Sequence, residues 1–125
     1  MTTAFLTDCL VVPALDGWAE GFVFFTGAAQ TPDDVSACSA TLVLLRYGLP
    51  AEAAITLTSN VGGGLSISGN AVNVAVPDTT TNAWPEGDYE MRLSVVDPAS
   101  PNIARWVVLS NDVNRVRVRY GPPSS

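Results

Sequence analysis

The sequence predicts an all-β protein, a single immunoglobulin-like antiparallel β-sandwich of about seven to nine strands. Three observations carry that expectation. Short apolar stretches recur at close intervals, clusters of Gly, Pro, Asn, Asp and Ser separate them, and several of them alternate apolar with polar residues. The chain of 125 residues suits one domain, expected over residues 1–120, with Gly121-Pro122-Pro123-Ser124-Ser125 as a short tail.

Strands are expected near residues 4–12, 20–26, 40–47, 54–58, 65–68, 71–76, 88–96, 103–110 and 113–120. Val72, Val74 and Val76 alternate with Ala71, Asn73 and Ala75, and Tyr89, Met91, Leu93 and Val95 alternate with Glu90, Arg92 and Ser94. Such a period of two belongs to sheets with one wet face. Ser68-Gly69-Asn70 reads as a tight turn, since Gly and Asn tolerate the positive φ that hairpins use. Gly62-Gly63-Gly64 lacks the Lys-Ser or Lys-Thr of a phosphate loop and reads as a hairpin or bulge. Asp78 to Trp84 suits one helical turn, with Asp78 as N-cap and Pro85 as its stop.

Three stretches break the alternation: Phe22 to Phe25, Leu42 to Leu45 and Trp106 to Leu109 are apolar on both sides. A strand apolar on both faces needs cover on both, supplied by its own chain or by a neighbouring subunit. In the last strand Val116, Val118 and Tyr120 oppose Arg115, Arg117 and Arg119, whose side chains recur about every 7 Å along one face. That stripe is either a charged edge that resists aggregation or a partner for acids of the first forty residues.

Charge narrows the functional classes. Hydrophobic residues make up 47% and charged residues only 14%, too few charges to wet a whole surface. The net charge of −6 argues against nucleic-acid binding through phosphates. Acids dominate residues 1–40, while Arg105, Arg115, Arg117 and Arg119 cluster near the other end. Every cation is an arginine, which suits bidentate pairing at interfaces, although GC-rich codon usage would give the same composition. No apolar run is long enough to span a bilayer, so no membrane role is expected.

The chemistry-bearing residues are sparse. Histidine is absent, which removes the usual general base and the commonest metal ligand. The acid pairs Asp33-Asp34 and Glu86/Asp88 lie in turns, where solvation explains them, so no catalytic residue, metal or cofactor is expected. Cys9 and Cys38 form no CxxC motif and are expected as two buried thiols. Trp18, Trp84, Trp106 and the tyrosines leave one alternative, a sugar-stacking platform of a carbohydrate-binding module for host attachment.

From about residue 40 to 97 runs a further string: Ser39-Ala40-Thr41-Leu42-Val43-Leu44, Ala54-Ile55-Thr56-Leu57-Thr58, Gly63-Gly64-Leu65-Ser66-Ile67-Ser68-Gly69-Asn70, Val74-Ala75-Val76-Pro77-Asp78-Thr79-Thr80-Thr81 and Trp84-Pro85-Glu86-Gly87-Asp88-Tyr89-Glu90-Met91-Arg92-Leu93. It resembles the β-sandwich domain of small tail and baseplate proteins of tailed bacteriophages, including the N-terminal domain of the upper baseplate protein family. Within it, Pro85 and Gly87 turn the chain, and the Tyr89 hydroxyl is placed to bond back to that turn.

The resemblance implies a non-enzymatic virion subunit, assembled in the host cytoplasm. It would act as an adaptor in the tail tip, baseplate or fibre-attachment region, forming homo-oligomers and contacting other virion proteins. The alternative within the virion is a decoration protein clamping the major capsid protein. The expected contacts use Phe24 and Trp106 as anchors and Arg115, Arg117 and Arg119 for orientation.

Overall fold

Alternation along one long strand organises the molecule. In the computed structural model, which describes residues 2–47, 54–111 and 113–120, β10 (Gly87–Val96) buries Tyr89, Met91, Leu93 and Val95 and exposes Glu90 and Arg92. Among the described residues the fold is all-β apart from one helical turn. Its other strands are β1 (Thr2–Phe5), β2 (Leu10–Pro13), β3 (Trp18–Val23), β4 (Phe25–Thr26), β5 (Thr31–Pro32), β6 (Ser39–Arg46), β7 (Ile55–Thr58), β8 (Leu65–Ser68), β9 (Ala71–Val76), β11 (Ala104–Leu109) and β12 (Val116–Arg119).

β10 is the middle of the larger sheet. β6 pairs antiparallel along one side, from Tyr89↔Arg46 to Val96↔Ser39, and β7 adds outside β6. The other side of β10 is shared: β12 lies along Gly87 to Tyr89 and β11 along Arg92 to Val96. β2 and β1 then flank β12 and β11 respectively.

Those two outer pairings are parallel, which departs from the purely antiparallel expectation. A hairpin reverses the chain, but here nearly the whole domain separates the partners, so their ends can run in the same direction. The expected strand over 4–12 is also broken, into β1 and β2, and the break faces the one between β11 and β12. There the chain between Leu109 and Val116 is longer than Glu90 and Met91, the two residues of β10 that it passes, so it leaves the ladder. Ser110 holds the junction by donating its N–H to the Met91 carbonyl (3.0 Å) and accepting the Met91 N–H on Oγ (2.6 Å). Asn114 Nδ2 donates to the Leu6 carbonyl at 2.8 Å, fastening the two breaks together.

The smaller sheet has the order β3-β9-β8, with the β8–β9 hairpin turning at Gly69, φ +58°, as the sequence suggested. β4 and β5 form a separate two-stranded ribbon. The glycine run lies between β7 of the large sheet and β8 of the small one. It is anchored where the Thr58 N–H donates to the Gly63 carbonyl at 2.9 Å. The two sheets share one apolar cluster, in which Leu42, Leu44, Met91, Leu93, Val116 and Val118 pack with Trp18, Leu65, Val72 and Val74. Full burial of such a side chain stabilises by roughly 1.5–3 kcal/mol before ordering costs.

The helical turn α1 spans Asp78–Thr81, and its N-cap is Pro77 rather than Asp78. Extended backbone at Pro77 (φ −70°, ψ 159°) leads straight into the turn, whose first helical residue is Asp78. Buried Thr81 docks the turn by donating Oγ1–H to the Ala14 carbonyl at 2.6 Å. The expected tail, residues 121–125, lies outside the described residues.

Candidate interaction surface

The outer face of the large sheet follows from the β10 alternation. Directly opposed residues share a face, so Arg92 sits between Val43 of β6 and Leu109 of β11, with Phe5 of β1 beyond Leu109. Glu90 stands beside Leu45 on the same face. Val43, Leu45 and Leu109 are half-buried, Glu90 and Arg92 are exposed, and Phe5 is 60% exposed. Toward the start of β10 the row continues as Asp88, Arg117 and the exposed Val11.

Asp88 gathers two of the three expected arginines. Arg117 donates Nε–H to Asp88 Oδ1 at 3.0 Å, and Arg115 Nη1 lies 3.7 Å from Asp88 Oδ2. The Arg115 guanidinium also lies over the Tyr47 ring, 4.6 Å from its centroid, while its Nε is buried without a hydrogen-bond partner. Arg119 is half-buried. Beside them Glu86, Gly87, Asp88, Arg117, Val118, Arg119 and Tyr120 line an open depression of about 420 Å³. Tyr120 is fixed there by donating its N–H to Glu86 (3.1 Å) and its hydroxyl to the carbonyls of Asn82 (2.8 Å) and Trp84.

The arginine stripe therefore sits on one face as its spacing implied, with two differences. β12 lies between β10 and β2 and is not an edge strand. The acid that meets Arg115 and Arg117 within the chain is Asp88, a neighbour across the ladder, in place of the expected acid of the first forty residues. Tyr120, expected beside Val116 and Val118, is 38% exposed, since β12 ends at Arg119 and the hydroxyl is drawn to the loop before β10.

Phe24 and Trp106 are not surface anchors. They are 3% and 7% exposed and stack on each other with ring centroids 5.0 Å apart. That burial accounts for the double-sided apolar run at Trp106 but not for the one at Phe24. Around Trp106 the chain covers both sides itself, leaving Val107 and Val108 buried as well, whereas Val23 and Phe25 beside Phe24 are 54% and 40% exposed.

Asp33, buried in the segment after β5, accepts the Trp106 indole N–H and the Arg105 guanidinium. Arg105 Nη1 also donates to the Asp34 carbonyl (3.1 Å) and to Cys38 Sγ (3.5 Å). The Cys38 contact, with the Asp33 charge, raises the Arg105 pKa against a desolvation penalty. Hydrogen bonds from Ser36 lower that of Asp34. The acid–arginine pairing sought for the first forty residues thus exists, but Arg105 makes it. Sequence gave one hint, an Asp pair behind a proline in a chain with few cations.

Cys38 is buried but Cys9 is exposed, correcting the expectation of two buried thiols, because Cys9 falls in the break between β1 and β2. Trp18 and Trp84 meet edge to face at 6.2 Å and are 2% and 6% exposed, so all three tryptophans lie inside the domain and offer no sugar-stacking platform. Among the described residues no three His, Cys, Asp or Glu side chains come together to hold a metal. No helix there is long and apolar enough to cross a membrane. Comparison with known protein families finds none that matches this chain, and no curated protein matches it either.

Proposed function

We propose that this chain is a non-enzymatic structural subunit that works by packing against other proteins, as an adaptor in the tail-tip, baseplate or fibre-attachment region of a tailed-phage virion. The observation that carries the packing role is the outer face of the large sheet. There Phe5 and Leu109 lie beside Arg92, and across the break between β11 and β12 Val11 lies beside Arg117, a mixture of apolar and arginine side chains typical of protein contacts. The absence of histidine and the engagement of the buried acid Asp33 by Trp106 and Arg105 favour a structural over a catalytic role. The virion assignment rests on the resemblance of residues 40–97 to phage tail and baseplate domains.

Gold-conjugated antibody against this protein, imaged on intact particles of the source phage, tests the assignment. Label at the tail end is the expected result. Label over the head would replace it with capsid decoration, and accessible antigen with unlabelled particles would overturn a virion role.

A further inference from the structure

Glu90 and Arg92 stand at the centre of the large sheet's outer face, on its middle strand. Both are exposed, and neither belongs to an ion pair among the described residues, in contrast to Asp88, Arg115 and Arg117. Two residues apart on one strand, they are about 7 Å from each other on the same face. Their ladder neighbours are the half-buried Val43, Leu45 and Leu109. One negative and one positive group, each without a partner, thus sit side by side in an apolar frame.

That pattern is its own complement. A two-fold axis lying between the two sheets, parallel to them and crossing β10 at right angles at the level of Met91, would run β10 antiparallel to its copy and set each Glu90 over the other copy's Arg92. Sheets packed face to face lie about 10 Å apart, within the combined reach of Glu and Arg side chains. Their twist makes stacked strands cross at about 30°, so contact concentrates at the middle of the middle strands, where this pair lies. Charge also favours a second copy here. The chain as a whole is acidic, at −6, but at the centre of this face Glu90 balances Arg92, while Asp88 with Arg115 and Arg117 leaves one positive charge toward the start of β10, away from the proposed axis.

We infer that the outer face of the large sheet is a two-fold interface between two copies of this chain, centred on reciprocal Glu90–Arg92 pairs. This rests on the subunit-packing reading above and names its partner. Phe5 and Val11 extend the contact outward on the strands that flank β11 and β12.

Sedimentation equilibrium on the full chain tests it, with circular dichroism to check that each variant is folded. Wild type should be dimeric. Glu90→Arg and Arg92→Glu each set like charges against each other at both pairs and should weaken association on the order of a hundredfold. The two single variants mixed in equal amounts should form a mixed dimer, because an all-positive centre then meets an all-negative one, and the double variant E90R/R92E should dimerise by itself. A wild type still monomeric at about 100 μM, single variants that associate like wild type, or a mixture that stays monomeric would overturn the inference. A monomeric wild type whose antibody labels phage tails would refute only the two-fold face, whereas a dimer with unlabelled particles would refute only the virion role.

Discussion

The carboxylate of Asp33 accepts the indole N–H of Trp106 and, through its other oxygen, the Arg105 guanidinium. The Asp33 backbone N–H donates to the Phe24 carbonyl at 3.0 Å, and the Phe24 ring lies on Trp106. One buried acid therefore ties the segment after β5 to β11 of the large sheet and to the residue that follows β3 of the small one.

Removing that acid should destabilise the fold. Asp33→Ala leaves an indole N–H and a guanidinium without their acceptor, and the expected loss is about 2–3 kcal/mol, kept below a fully buried pair because the Arg105 side chain is 35% exposed. Asp33→Asn keeps an acceptor for Trp106 and should lose less. Urea midpoints at unchanged slope would check both, and an Asp33→Ala loss under about 0.5 kcal/mol would show that the clasp contributes nothing.

Tyr89 donates its hydroxyl to the Pro85 carbonyl at 2.5 Å, closing the turn before β10 as the sequence suggested. Burial raises the Tyr89 pKa above 10.0; the Arg46 charge opposes that shift and Tyr120 adds to it. The folded state thus favours the neutral phenol, so this contribution is complete below pH 10.0 and is lost as pH rises through the folded pKa. Tyr89→Phe should cost about 1 kcal/mol at neutral pH and flatten the alkaline fall in stability. Denaturation curves at neutral and alkaline pH would show it; an unchanged alkaline slope would assign that fall to other groups.

Elements governed by local pattern were legible in the sequence. The period of two placed β9, β10 and β12, and the residue types of the turns located the β8–β9 hairpin and the Tyr89 bond. Non-local partners were not legible. The break between β11 and β12 was legible at their own ends. The run from residue 4 to 12, however, looks continuous because nothing within it marks where its partner changes from one to the other, and a parallel pairing between distant segments leaves no hairpin signal. Phe24 and Trp106 look like subunit anchors in the sequence because their runs are apolar on both sides. The sequence does not reveal that Asp33, far from Trp106 in the chain, would satisfy the indole N–H and let the ring be buried. The arginine stripe was found by spacing alone, but its acid, Asp88, depends on the register of β10 with β12.

Gly17 separates β2 from β3 with φ +82°, and a Cβ there would lie 2.6 Å from the Val76 carbonyl oxygen. Both the left-handed backbone and the contact at the end of β9 exclude a side chain. Gly17→Ala should therefore cost about 2 kcal/mol or more, while Gly27→Ala, at φ +73° but with open space around it, should cost less. Comparing their thermal midpoints separates the backbone penalty, common to both, from the steric clash at Gly17 alone. Equal losses would show that the β2–β3 turn relaxes to accept the methyl group.

The two thiols should report on the Asp33 clasp independently of global stability. Cys9 is exposed, whereas Cys38 is 9% exposed with Arg105 Nη1 donating to its Sγ at 3.5 Å. A thiol reagent should modify Cys9 quickly in the native protein and reach Cys38 only through opening of the segment that follows β5. Cys9→Ser should abolish the fast phase and leave the slow one. In that background Asp33→Ala should speed Cys38 labelling at denaturant concentrations where the fold is intact, since it frees the segment locally. If the rate rises only as global unfolding begins, the segment opens with the whole domain, and the clasp acts as part of the core.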